Sequence, residues 1–223
     1  MVGTPGALHV AALAASAAVL ILSACNRAPT LQHLDKNKVD VNTNAQLRTA
    51  NIGRGRFVSL ATFVLVDAIN ETGQDAAVTL GGVLVDHAGA KLSELRPESL
   101  FIPKGDKRTF ALIDNNNTAQ PTAVGASVVV RSAIVPTPSS LQVSQQRTYD
   151  DFGKLVLDGW VHNSSEHNGK VIVLATFYDA NEVPLTRPNT LLPIGGGATR
   201  AVQFVGPPGA TRAVMYLGDQ VWD

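Results

Sequence analysis

Apolar and polar positions alternate along much of the second half of this chain. Leu155, Leu157, Gly159 and Val161 fall on one side of a segment, Asn163 to Gly169 supplies a polar turn, and Val171 to Tyr178 is a β-branched and aromatic run. Asp179-Ala180-Asn181 then turns the chain. Further short strands are predicted near Thr190–Leu192, Arg200–Phe204 and Ala213–Leu217, separated by Pro-Ile-Gly-Gly-Gly and Gly-Pro-Pro-Gly punctuation. No amphipathic helical stretch interrupts them.

The pattern occurs twice. Asn70, Val78 and Asp86 have counterparts in Asn163, Val171 and Asp179 at a constant offset of 93. Leu92 matches Leu185, Arg96-Pro97 matches Arg187-Pro188, and Pro103-x-Gly105 matches Pro193-x-Gly195 after small loop deletions. An ordered series of this kind is what duplication followed by loop trimming leaves. Short strands at this spacing predict an all-β chain of two tandem small antiparallel immunoglobulin-like β-sandwiches. The expected boundaries are 57–135 for the first unit, 136–148 for a Pro-rich linker and 149–223 for the second.

Comparing the copies separates their faces. Val171, Val173, Ala175 and Phe177 correspond to Val78, Leu80, Gly82 and Leu84, an alternate set that is apolar in both units and predicts the core side. The opposite set is Ile172, Leu174, Thr176 and Tyr178 in the second unit but Thr79, Gly81, Val83 and Val85 in the first. Trp160, whose counterpart is Asp67, is expected to enlarge that second-unit face. Trp160, Ile172, Leu174 and Tyr178 are therefore the candidate partner-binding residues, covered either by the first unit or by another protein.

Composition and the N-terminus add location. The chain carries 18 basic and 18 acidic residues, so no net field draws it to nucleic acid. Its apolar fraction of 45% supports a folded body without disulfides, which a single cysteine cannot form. From Leu8 to Leu22 the chain is almost wholly apolar, and Leu22-Ser23-Ala24-Cys25 follows as a lipobox. This resembles bacterial lipoprotein signals. The resemblance implies that residues 1–24 are removed, that Cys25 is acylated and that 25–56 is a polar tether. The implied location is the cell envelope: the periplasmic face of the outer membrane in a double-membraned bacterium, since Asn26 replaces the Asp of a retention signal, and otherwise the outer face of the plasma membrane.

Catalytic patterns are missing from the sequence. It lacks a Gly-x-Ser-x-Gly elbow, a Ser-x-x-Lys pair, a His-Glu-x-x-His pair and a Gly-x-x-x-x-Gly-Lys loop, so no catalytic residue, cofactor or metal is assigned. His162, Glu166 and His167 have ligand chemistry but sit at a turn, where they need not converge. Asn70 and Asn163 read as turn formers.

Several features together carry a family resemblance. They are Asn163 before a polar turn, the strand ending Phe177-Tyr178-Asp179, then Arg187-Pro188, Leu192-Pro193 and Gly206-Pro207-Pro208 leading into Ala213–Leu217. This resembles the YcfL-type small envelope lipoproteins, with the FxLyD-type domain second because its first Phe position is Ala175 here and Gly82 in the first copy. Both resemblances imply a β-sandwich. The expected function is a lipid-anchored, non-catalytic interaction or scaffold module with an envelope protein as partner. The alternative is a glycan or peptidoglycan-binding module in which Trp160 and Tyr178 stack on sugar rings.

Overall fold

The computed structural model describes residues 31–42, 45–53 and 55–223. Among these, the only helical elements are two short 3-10 turns, and everything else regular is strand. The first sandwich comprises β1 (Val39–Val41), β2 (Gln46–Ile52), β3 (Ser59–Asn70), β4 (Ala76–Val85), β5 (Lys91–Ile102), β6 (Lys107–Ile113) and β7 (Gly125–Ile134). The second comprises β8 (Leu141–Asp151), β9 (Lys154–Asn163), β10 (Gly169–Tyr178), β11 (Pro184–Thr186), β12 (Asn189–Ile194), β13 (Thr199–Val205) and β14 (Arg212–Trp222).

All pairings are antiparallel, and the two sandwiches repeat one plan. In the first, β3 lies between β6 and the successive short strands β1 and β2, while β4 lies between β5 and β7. In the second, β9 lies between β8 and β13, while β10 lies between β14 and the successive strands β11 and β12. Long strand β8 thus does the work of β1 and β2 together. Gln145 takes a positive φ of 51° at the irregularity in β8. Beside it, the Gln146 side chain accepts from Met215 N at 2.8 Å and donates to Met215 O at 3.0 Å, which ties β8 to β14 across the sandwich.

The turns were copied with their chemistry. Asn70 donates through Nδ2 to Gln74 O and Ile102 O, both at 2.8 Å, while its Oδ1 accepts from the Thr72 amide and hydroxyl. Asn163 donates to His167 O at 2.8 Å and Gly195 O at 3.0 Å and accepts from the Ser165 amide and hydroxyl. Every partner is displaced by the same 93 residues. The same holds where Asp86 Oδ1 accepts from Ala88 and Ala90 amides and Asp179 Oδ1 accepts from Asn181 and Val183. Each buried Asn closes a turn whose carbonyls would otherwise lack donors.

Val171, Val173, Ala175 and Phe177 do face the second core, and Val78, Leu80 and Leu84 face the first. Phe177 is fully buried against Gly206, where an added Cβ would stand 2.5 Å from its ring. That contact explains why a glycine opens the Gly-Pro-Pro turn.

Two expectations change. Most of the stretch expected as a tether is woven into the first sandwich: His33 bridges Ile134, Leu34 N donates to Ala133 O, and β1 and β2 both pair with β3. Within the expected linker, β8 already begins at Leu141, so the connection spans only 135–140. Both were obscured because polar edge strands lack a buried face on each side and so read as loops. Thr176, on the face expected to be covered by the first unit or by another protein, is completely buried.

Phe177→Ala is expected to lower unfolding free energy by about 3–5 kcal/mol through the cavity it leaves. Asn163→Asp, which keeps the acceptor but removes both donors and adds charge beside two carbonyls, should destabilise at least as much as Asn163→Ala. Chemical denaturation of the three variants checks both statements, and an Asp variant as stable as the parent would contradict the second.

Candidate binding groove between the sandwiches

The face of β10 opposite its core packs against the first sandwich. Leu174 and Tyr216 join the first sandwich's hydrophobic cluster, with Ile172 and Val214 packed at its margin. Opposite them, the outer side of the β3–β6 pair presents Leu65, Asp67 and Thr109, all buried. Large side chains exclude water here, so every polar atom at the contact needs a partner.

Thr109 supplies most of those partners. The Tyr178 hydroxyl lies 2.8 Å from Thr109 Oγ1, which itself donates to Asp67 Oδ1. The Tyr216 hydroxyl donates to Thr109 O at 2.7 Å and lies 2.9 Å from Thr176 Oγ1. Each hydroxyl has one proton, so the directions follow: Tyr178 to Thr109 to Asp67, and Thr176 to Tyr216 to the Thr109 carbonyl.

Charges frame this chain. Lys107 and Arg212 lie over the Tyr178 ring at 4.5 and 4.8 Å from its centroid, and both pair with Glu182. Arg187 reaches across to Glu98 at 2.7 Å, while the other oxygen of Glu98 accepts from the Ala111 amide of β6. Burial raises both phenols above their ordinary range, with Asp67 adding to the effect at Tyr178. At Arg187 burial opposes the charge, yet its basicity is raised, because Glu98 and Tyr216 together outweigh the desolvation.

Beside the contact runs a groove with two lobes of about 390 and 530 Å³ that share Arg96, Ala111, Ile113, Arg187 and Asn189. The first lobe includes Glu98 and Asp219. The second adds Arg48, Asn51, Phe63 and Leu65, and no Asp or Glu lines it. Arg48 donates to Pro184 O at 3.2 Å, and Arg96 donates to Asn117 Oδ1 at 3.0 Å. The repeat-related arginines of the two Arg-Pro pairs thus meet in one groove, joined by an arginine from β2.

The four candidate residues do not form one surface. Tyr178 and Leu174 are buried at the contact, and Ile172 and Leu174 line the first lobe. Trp160, 43% exposed, lies on β9 in the other sheet of the second sandwich, opposite Ser144 and Ala201. Alternation correctly puts Trp160 outside its own strand's core, but it cannot say which sheet the strand joins. Tyr178 is therefore no sugar-stacking partner for Trp160. Cys25 lies outside the described residues. His162 Nδ1 shares a hydrogen bond with Thr199 Oγ1 at 3.0 Å, and no group of three or more metal-ligating His, Cys, Asp or Glu occurs among the described residues. Sequence reasoning missed Arg48, Thr109 and Tyr216, and it used Arg96 and Arg187 only as repeat markers. The Arg-Pro pair retained in both copies was the available signal.

No protein-family model matches the chain, and no curated protein matches it significantly. Among solved structures, a DUF1425 family member from Shewanella sp. pv-4 is similar at 22% identity and a TM-score of 0.34, over 35% of this chain and 77% of its own. Red sea bream transglutaminase is similar at 14% identity and a TM-score of 0.22, over 82% of this chain and 29% of its own. The tandem CBM22-1–CBM22-2 region of Paenibacillus barcinonensis Xyn10C is similar at 7% identity and a TM-score of 0.16, over 84% and 88%. The sandwich architecture is read from the strand pairing itself.

Tyr216→Phe removes the donor to the Thr109 carbonyl and the acceptor for Thr176, so it should cost about 1–3 kcal/mol and more than Tyr178→Phe, which removes one donor. Equal costs would contradict the hydrogen-bond directions. The folded state holds both phenolic protons more tightly than the unfolded chain. Their contribution is complete below the ordinary tyrosine value of 10.0 and declines as pH rises above it. Melting temperature should fall in that alkaline range, and either Phe variant should flatten the fall.

Proposed function

We propose that this protein is a lipid-anchored bacterial envelope protein that binds and presents a partner without turning it over, with the groove between its sandwiches as the contact surface. The lipobox ending at Cys25 and the YcfL-type resemblance of the second unit support the location. The observation that carries the binding role is the groove itself, where arginines of both sandwiches and an apolar wall meet beside a buried contact. Because the contact consumes Leu174 and Tyr178, the partner surface moves from the face suggested by sequence to the groove rim.

Two experiments test this reading. Cys25→Ala should abolish acylation and cleavage, and mass spectrometry of the mature N-terminus should find lipid on Cys25 of the parent; an unmodified cysteine contradicts the anchor. A photo-crosslinking residue at position 51, on the groove rim, should capture a recurrent envelope component in cells. Capture of nothing there contradicts the groove as the partner surface.

A glycan reading survives on a different face. Trp160 and Tyr149, 40% exposed, stand outward on the β8–β9–β13 sheet with the bidentate Arg147–Asp158 pair and Gln203 between them. Retention on envelope polysaccharide that Trp160→Ala abolishes supports it, and retention unchanged by that substitution removes it.

A further inference from the structure

We propose that the second lobe of the groove binds a carboxylate carried on an apolar body, an inference that rests on reading the groove as the partner-binding surface. Three guanidinium groups, those of Arg48, Arg96 and Arg187, line a lobe that has no acidic residue in its wall. Among the described residues Arg48 and Arg96 form no ion pair; their hydrogen bonds go to carbonyl oxygens of Pro184, Asn115 and Asn117. Glu98 answers Arg187 alone, from the side of the first lobe. The lobe therefore keeps an uncompensated positive charge beside apolar walls.

Arg187 is spent inside the protein: its side chain is only 8% exposed, with Nη2 on Glu98 at 2.7 Å and Nη1 toward Thr109 O at 3.4 Å, so Arg48 and Arg96 are the guanidinium groups left for a ligand. Arginine forks match carboxylates and phosphates alike. The walls decide what stands behind the anion. Phe63, Leu65 and Ile113 offer an apolar surface beside the forks that a bare anion such as inorganic phosphate does not use. A carboxylate with an apolar group behind it uses both the arginines and that wall.

Two sources supply that chemistry, a peptide C-terminus and a fatty acid. Calorimetric titration of the full chain in nanodiscs should use N-acetyl-leucyl-alanine against its C-terminal amide, and octanoate against octanamide. One acid should bind about tenfold more tightly than its amide, and the acid that does so names the source. Arg48→Gln and Arg96→Gln should each weaken that acid about tenfold while leaving the affinity for the amide unchanged, with circular dichroism showing both variants folded. Acid and amide binding alike, affinity unchanged in both variants, or inorganic phosphate competing as strongly as the acid would each overturn the site. Failure here with capture from position 51 leaves the partner reading standing; acid binding without capture leaves the site and removes that reading.

Discussion

The buried contact centred on Thr109 governs the arrangement of this molecule. One threonine on β6 accepts from a tyrosine of the second sandwich, donates to Asp67 of the first, and offers its carbonyl to a second tyrosine. These groups are withdrawn from water, where an unpaired hydroxyl or carboxylate costs more than the paired one gains. The contact therefore tolerates little sliding, and the groove beside it inherits that definition. The described chain from Leu31 to Asp223 accordingly forms one compact unit.

Duplication made the two halves alike inside and different outside. The Asn and Asp turns, the core-facing strand residues and the sheet pairing were all kept, since each closes a local hydrogen-bond account that substitution would open. The outer faces were free to diverge. Thr79 and Gly81 in the first copy stand where Ile172 and Leu174 stand in the second, and only the second face acquired enough apolar surface to pack on its neighbour. The Arg-Pro pair was kept in both copies, and the packing brings the two arginines together in a place neither copy could form alone.

Much of the interior was legible in the sequence. Period-two alternation assigned Val171, Val173 and Phe177 to the core because side-chain direction within a strand follows from the pleat. The offset of 93 exposed the repeat, and it extends to individual hydrogen bonds at Asn70 and Asn163. Pairing between strands was less legible. Trp160 and Leu174 both point away from their own core, yet they lie on different sheets, and only the register of β9 with β8 and β13 separates them. β1 and β2 were hidden because their exposed residues resemble a loop. The groove was invisible for the same reason, since Arg48 comes from that segment.

Differential scanning calorimetry of the full chain tests most directly whether the buried contact makes the two sandwiches one body. The account predicts a single transition whose calorimetric enthalpy equals its van't Hoff enthalpy, because unfolding either sandwich takes from the other the apolar burial and hydrogen bonds of the Thr109 contact. Two separate transitions in the unmodified protein, with the groove lost after the first, would contradict it.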